Sequence, residues 1–221
     1  MTKKSFAVLG LGRFGQSVVQ TLVASHQDVL AVDVKEEPVN EMMDIATQTL
    51  IADTRDEDVL RGLNIDTFDY VIVGIGNNME ASILTTMLTK ELGAKKVIAK
   101  AETSDHGRVL KRVGADQVIF PERDMGHSIV RKLLSNHILN FIDLSDEYTL
   151  AEVVITDPNF VNQDLVKLDL RRRFDLTVIA IQHDHAINIS PQPTDIVQLH
   201  DVLTVVGPIA NVEKLDATLK K

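Results

Sequence analysis

The sequence predicts an α/β protein: a doubly wound parallel sheet linked by a crossover helix to a small α+β C-terminal domain. Three observations predict it. A short apolar strand, Phe6-Ala7-Val8-Leu9, runs into Gly10-Leu11-Gly12-Arg13-Phe14-Gly15. A second apolar strand, Val29-Leu30-Ala31-Val32, ends on the acid Asp33, the spacing of about 20 positions at which such an acid is expected. From there to about residue 120, short Val- and Ile-rich runs alternate with helical patterns, as buried parallel strands and their crossover helices do.

Strands are expected at 6–9, 29–33, 49–51, 70–73, 96–100 and 117–120. Helices are expected at 14–24, 39–46, 57–63, 81–92 and 107–113. Asp56 and Asn78 suit N-caps, and Gly93 and Gly114 suit C-caps. Pro121 stops the sixth strand, and residues 122–140 read as one amphipathic helix with Met125, Ile129, Leu133 and Leu134 as an apolar stripe. That stripe needs a cover, such as a second subunit. Beyond it, strands are expected at 151–155, 177–182, 186–189 and 202–206, and helices at 161–166 and 211–219. His183-Asp184-His185 reads as the turn of a hairpin. The organisation is therefore 1–122 as a doubly wound domain, 123–140 as the crossover helix, and 141–221 as a second, small α+β domain; the family resemblance given below implies nucleotide binding for the first and ligand binding for the last.

The glycine segment is a Rossmann-like dinucleotide fingerprint in its proper context, after a strand and opening a helix. Gly10 allows the tight turn, Gly12 lets the backbone approach a pyrophosphate, and Gly15 lets the helix pack close to the sheet. The helix N-terminus presents free N–H groups and a partial positive charge to phosphates. Asp33 accepts hydrogen bonds from ribose hydroxyls, and an acid at a strand end is expected to have no packing value. Arg13, between the second and third glycines, is placed to reach a further phosphate; the plainer reading is a solvated loop charge.

Other residues fall on the same carboxyl edge of the sheet, where such folds bind ligands. Asp53 and Thr54 follow the third strand and suit either an adenine ring or ordinary turn chemistry. Gly74-Ile75-Gly76 follows the fourth strand and permits close backbone approach to a ligand, or simply another turn. Lys100 ends the fifth strand on this edge, a cation that suits either phosphate or simply a solvated strand end. Glu122 and Asp124 open the long helix, where acids favour the dipole; as a cation site they supply too few oxygens alone. In the last third, Arg171-Arg172-Arg173 suits an anion or a solvated face. His183 and His185 have no third metal ligand in view.

Composition excludes several functions. The chain has 221 residues with 23 Lys and Arg against 32 Asp and Glu, a net charge of −9, few aromatics and no Trp. That disfavours nucleic-acid binding, which needs a basic face and often stacking rings. Cysteine is absent, so disulfides and thiolate metal sites are excluded. No segment reaches the roughly 18 apolar residues of a membrane span, and the first apolar stretch is broken by glycines and Arg13, unlike a signal peptide. A nicotinamide-dependent oxidoreductase is the alternative reading of the fingerprint. It needs a substrate pocket with a placed acid–base group, and no such group stands out in the sequence.

Several segments together resemble one family: Gly10–Gly15, Asp33, Tyr70-Val71-Ile72-Val73-Gly74-Ile75-Gly76, Ala81-Ser82-Ile83-Leu84-Thr85-Thr86, Pro121-Glu122-Arg123-Asp124-Met125-Gly126 and Asn140-Phe141-Ile142-Asp143-Leu144-Ser145-Asp146-Glu147-Tyr148. They are similar to the RCK (KTN) cytosolic regulatory subunits of bacterial Ktr/Trk-type potassium uptake systems. The resemblance runs from Phe6 to about Gly207. It implies a non-enzymatic, cytoplasmic gating subunit. Swapped dimers would assemble into an octameric ring beneath an integral-membrane potassium-translocating partner. It implies ATP and ADP as competing ligands, with ATP favouring conduction; NAD(H) stays open as a further adenine nucleotide. Carried onto this chain, Gly10, Leu11, Gly12, Arg13, Phe14, Gly15, Asp53, Thr54, Gly74, Ile75 and Gly76 line the nucleotide site. Asp33 holds the ribose. Arg13 reaches the γ-phosphate across a subunit boundary, and Lys100 lies near the phosphates. Glu122 helps hold Mg2+, Ca2+ or Na+. Inhibition by cyclic di-AMP is implied for the C-terminal domain, with Leu165, Arg171, Thr177, Val178 and Pro191 in the matching stretch. There the chain has Phe174-Asp175 where related chains commonly carry an aromatic–Gly pair.

Overall fold

The computed structural model describes residues 3–145, 147–184 and 186–219, so His185 and Asp146 lie outside the described residues. The chain divides into two compact units, Met1–Arg123 and Asp124–Lys221.

The first unit is a parallel sheet with crossover helices. Its elements are β1 (Ser5–Leu9), α1 (Arg13–Ala24), β2 (Asp28–Asp33), α2 (Glu36–Met42), β3 (Gln48–Ile51), α3 (Glu57–Gly62), β4 (Tyr70–Val73), α4 (Met79–Glu91), β5 (Val97–Lys100), α5 (Ser104–Arg112) and β6 (Gln117–Ile119). The strand order is β3-β2-β1-β4-β5-β6, every pairing parallel. This is the doubly wound order, and its direction reverses between β1 and β4. The central strands are apolar on both faces because helices cover both. Ala7, Leu9, Val71 and Val73 pack in one cluster, and Val8, Ala31 and Ile72 in another.

Local chemistry sets the helix ends. Asp56 accepts the Asp58 amide at the start of α3, Asn78 accepts the Ala81 amide before α4, and Thr103 accepts the His106 amide before α5. Gly93 and Gly114 follow α4 and α5 with φ of 91° and 110°, a conformation glycine adopts freely. Helix α2 starts earlier than the expected 39–46, because Glu36 and Glu37 favour a first turn ahead of Pro38.

The helix expected to reach residue 140 is shorter. Helix α6 spans Pro121–Leu134 and is followed by β7 (Ile138–Asp143). The second unit then continues with β8 (Tyr148–Val154), β9 (Gln163–Asp164), α7 (Leu165–Leu168), α8 (Leu170–Phe174), β10 (Thr177–His183), β11 (Ala186–Ile189), β12 (Ile196–Val197), β13 (Val202–Pro208) and α9 (Ile209–Thr218). Its sheet has the order β11-β10-β13-β8-β7, antiparallel throughout. Pairing with β8 draws residues 138–140 into a strand that their own helical spacing does not announce. The buried Asp216 carboxylate helps fix the turn, accepting the Asn136 and His137 amides at 3.2 and 2.7 Å.

The helix expected at 161–166 is replaced by a turn, β9 and the short helices α7 and α8. Left-handed backbone at Asn162 (φ 58°) and Asp169 (φ 43°) interrupts any continuous helix there. Asp175, in the place of the aromatic–Gly glycine, ends α8 with φ 54°. The core of this unit gathers Ala151, Val153, Leu168, Phe174, Leu203, Val205 and Leu215.

Candidate functional site

The carboxyl ends of β1 and β4 meet at the switch point, and their glycine loops touch. The Gly10 amide donates to the Val32 carbonyl and the Gly74 amide to the Leu9 carbonyl, both at 2.8 Å. Gly10 has φ 98°, and a Cβ there would meet the Ile75 backbone nitrogen at 2.9 Å. A Cβ on Gly15 would lie 2.0 Å from the Gly10 carbonyl oxygen, so only glycine lets α1 start this close to the strand. Gly12 is different: nothing stands within 4 Å of a Cβ there, and the residue faces outward as the N-cap of α1.

The first turn of α1 has no side-chain cap and no acid. Its amides and its partial positive charge are therefore available to an anion. Arg13, the first residue of this helix, is exposed beside it, and Phe14 is half-buried against the core.

Asp33 closes the other side. One carboxylate oxygen accepts the Leu11 amide at 2.6 Å, and the other accepts the Lys35 amide at 2.9 Å. The carboxylate is thus held at the end of β2 by backbone donors, with lone pairs left for ribose hydroxyls. Beside the ribose role expected of it, the acid ties the end of β2 to the glycine loop through these hydrogen bonds.

Asp53 and Thr54 follow β3, and both side chains are already engaged. The Arg55 guanidinium pairs with Asp53 at 2.6 Å, and this hydrogen bond foremost holds the carboxyl below its ordinary range. Thr54 is buried, with its hydroxyl 2.9 Å from that of Thr85 on α4. Thr54 therefore offers backbone, not its hydroxyl, to this edge.

At the far side, Lys100 ends β5 with its side chain only 10% exposed. Its ammonium donates to Glu122 at 2.6 Å, while the Glu122 side chain is 69% exposed. The Lys100 hydrogen bond is the main reason the Glu122 carboxyl lies below its ordinary range, and the Arg13 charge acts in the same direction. Sequence spacing did not reveal this pair, because its members stand 22 positions apart on different elements. Gly76 lies between groups of this cluster: a Cβ there would be 3.3 Å from the Lys100 ammonium and 2.9 Å from a Glu102 carboxylate oxygen. Among the described residues, no three His, Asp or Glu side chains converge as a metal cage.

In the second unit, Leu165 opens α7, Arg171 is exposed on α8, and Thr177 and Val178 start β10. The Ser190 amide donates to the Ile179 carbonyl, which sets Pro191 beside the start of β10. The Val166 amide donates to the Pro193 carbonyl, which brings the α7 turn to the same loop. His183 pairs with the buried Asp201 at 2.7 Å, a partner that sequence spacing did not suggest.

Two family models cover this chain: the TrkA-N domain matches residues 6–121 and the TrkA-C domain residues 150–220. The chain belongs to the TrkA-N/TrkA-C family of Ktr/Trk-type RCK proteins. Its relatives in this family include the Ktr system potassium uptake protein C of Bacillus subtilis (strain 168), 39% identical over 97% of this chain and 96% of that protein. The Ktr system potassium uptake protein A of the same organism is 41% identical over 96% of each. Among solved structures, the GsuK RCK domain aligns with a TM-score of 0.67 at 16% identity, covering 100% of this chain and 48% of that one. The GsuK channel bound to NAD aligns equally well, this chain spanning 40% of its length. No helix among the described residues is long and apolar enough to cross a membrane.

Proposed function

We propose that this RCK protein is the nucleotide-sensing regulatory subunit of a potassium uptake system, and not an enzyme. The observation that carries the reading is that an uncapped helix N-terminus with Arg13, a backbone-fixed Asp33 and the buried Lys100 all stand along one carboxyl edge of the parallel sheet. These groups suit the phosphates and ribose of an adenine nucleotide. Full-length relatives named as potassium uptake proteins supply the physiological context.

In this reading Asp33 takes the ribose, and the loops Gly10–Gly15 and Gly74-Ile75-Gly76 pass close to the phosphates. Asp53 and the Thr54 backbone border the adenine, Lys100 binds phosphate, and Arg13 engages the third phosphate of ATP. Glu122 alone cannot hold Mg2+ or Ca2+. Magnesium commonly binds one or two carboxylates together with substrate phosphates, and one exposed carboxylate beside a phosphate site fits that pattern. The cation would neutralise charge on the nucleotide. NAD(H) is a second ligand for the same crevice, given the channel solved with NAD.

Switching follows from differential affinity. A ligand shifts a conformational equilibrium only by its preference between the two states. A tenfold preference supplies about 1.4 kcal/mol per site, and eight coupled sites would sum to about 11 kcal/mol. That exceeds the roughly 5.5 kcal/mol needed to reverse a 1:99 population. An octameric ring docked under a membrane-embedded partner, which would place the protein at the cytoplasmic face, is the assembly we assign. The exposed Met125, Ile129, Leu133 and Leu134 of α6 support burial against another copy. For the C-terminal domain we assign cyclic di-AMP as an inhibitory effector near Leu165, Arg171, Thr177, Val178 and Pro191.

The test is a competitive titration of the purified full-length chain with ATP, ADP, NADH and cyclic di-AMP, with the oligomeric form monitored in parallel. Binding of ATP and ADP with different assembly shapes is expected. Indifference to every adenylate overturns the reading. Hydride transfer to a substrate, blocked by Asp33→Ala, would favour an oxidoreductase instead.

A further inference from the structure

We propose that Thr85 is a positioning residue that sets base specificity: from α4 it fixes the loop after β3 in the orientation that reads adenine, without touching the ligand itself. The inference rests on the adenylate reading above. The Thr54 and Thr85 hydroxyls lie 2.9 Å apart, although 31 positions separate them in sequence. Both side chains are buried, Thr85 completely. A buried hydroxyl needs a partner, and each supplies the other's. The helix does not force this choice. The neighbouring Thr86 turns its hydroxyl back to the Ser82 carbonyl at 2.7 Å, a bond that a helical threonine commonly makes, whereas Thr85 spends its hydroxyl on another element.

This bond decides which groups the loop can show to a base. With its side chain held inward, Thr54 has only its backbone for the carboxyl edge. The Thr54 amide and carbonyl take no part in the loop's own backbone hydrogen bonds, which run from the Ala52 amide to the Asp33 carbonyl and from the Asp56 amide to the Asp53 carbonyl. An amide and a carbonyl together suit adenine, which offers ring-nitrogen acceptors and an amino donor. Guanine puts the acceptor O6 where adenine has that amino group, and a carbonyl there repels it. The loop is thus tied on one side to the backbone of Asp33, the acid assigned to the ribose, and on the other to the helix that follows Gly74-Ile75-Gly76. Thr85 holds the base-reading loop in register with the phosphate loop.

The experiment measures ATP and GTP affinities of the full-length chain by calorimetry, for wild type, Thr85→Val and Thr85→Ser. Wild type is expected to favour ATP. Thr85→Val keeps the shape but strands the Thr54 hydroxyl; it should weaken ATP about tenfold and GTP by less than about threefold, so that the preference shrinks. Thr85→Ser keeps the hydroxyl and should hold the preference within about twofold of wild type. Thr85→Ala, read in the same way, serves if Thr85→Val does not fold. A merely structural role would weaken both nucleotides equally. An unchanged preference in the variants that lack the hydroxyl, or wild type that binds ATP and GTP alike, overturns the proposal while leaving nucleotide binding intact. Wild type that binds neither overturns the adenylate reading as well.

Discussion

The Asp33 carboxylate accepts the Leu11 amide at 2.6 Å, so the acid at the end of β2 and the glycine loop after β1 are one structural unit. Leu11 is almost completely buried. Removing the acceptor would strand its amide, and a hydrogen bond to a charged group contributes about 1.5–3 kcal/mol. Asp33→Ala should therefore lower stability by about 2 kcal/mol in urea denaturation and weaken ATP and ADP alike by about tenfold or more. Asp33→Asn keeps an acceptor for the amide and should recover most of the stability but not the affinity. Normal stability in the alanine variant would show that the contact is dispensable.

Arg13 should discriminate between nucleotides where Asp33 does not. It is the first residue of the uncapped helix α1, and is assigned above to the third phosphate, which only ATP carries. Arg13→Ala is expected to leave ADP affinity within about threefold and to weaken ATP about tenfold, a loss of about 1.4 kcal/mol. Calorimetry with both nucleotides checks this, and an equal loss for the two would remove Arg13 from the γ-phosphate.

A pH dependence follows from His183 in the second unit. Its hydrogen bond to Asp201 raises its pKa above the ordinary imidazole value, and nearby Asp184 acts in the same direction. The folded state thus binds this proton more tightly than the unfolded chain. The contribution is complete below the unfolded-state pKa of about 6.5 and fades as pH rises through the higher folded value. Thermal melts from mildly acidic to mildly alkaline pH should show wild type losing its margin over His183→Gln across that interval. Parallel curves would dismiss the pair as a stability element.

Asp175 carries a φ of 54° at the exposed end of α8, a left-handed conformation that costs a non-glycine residue energy. Asp175→Gly removes that cost, offset in part by greater freedom of the unfolded chain. A gain of about 0.5–1 kcal/mol in denaturant midpoint analysis is expected. A loss would mean the aspartate makes a compensating interaction.

The long, strongly patterned elements were legible in the sequence because their determinants are local. The glycine loop, the caps at Asp56 and Asn78 and the buried strands β1, β2 and β4 each follow from neighbouring residues. Where pairing partners are distant, local pattern misled. Residues 138–140 carry helical spacing yet join β7, since hydrogen bonds to β8 outweigh intrinsic preference. The segment 161–166 reads as helix until Asn162 and Asp169 take left-handed backbone under tertiary constraint.

The candidate site divides along the same line. Sequence alone determined which side chains stand at the carboxyl edge, because a parallel strand and its following turn put Asp33, Gly74 and Lys100 there whatever else the chain does. Only the tertiary structure decided how those groups are spent. Thr54 turns to Thr85, Asp53 to Arg55, Asp33 to the Leu11 amide and Lys100 to Glu122. The physical reason is that burial and distance between side chains, not their order along the chain, set what each charge must find as a partner.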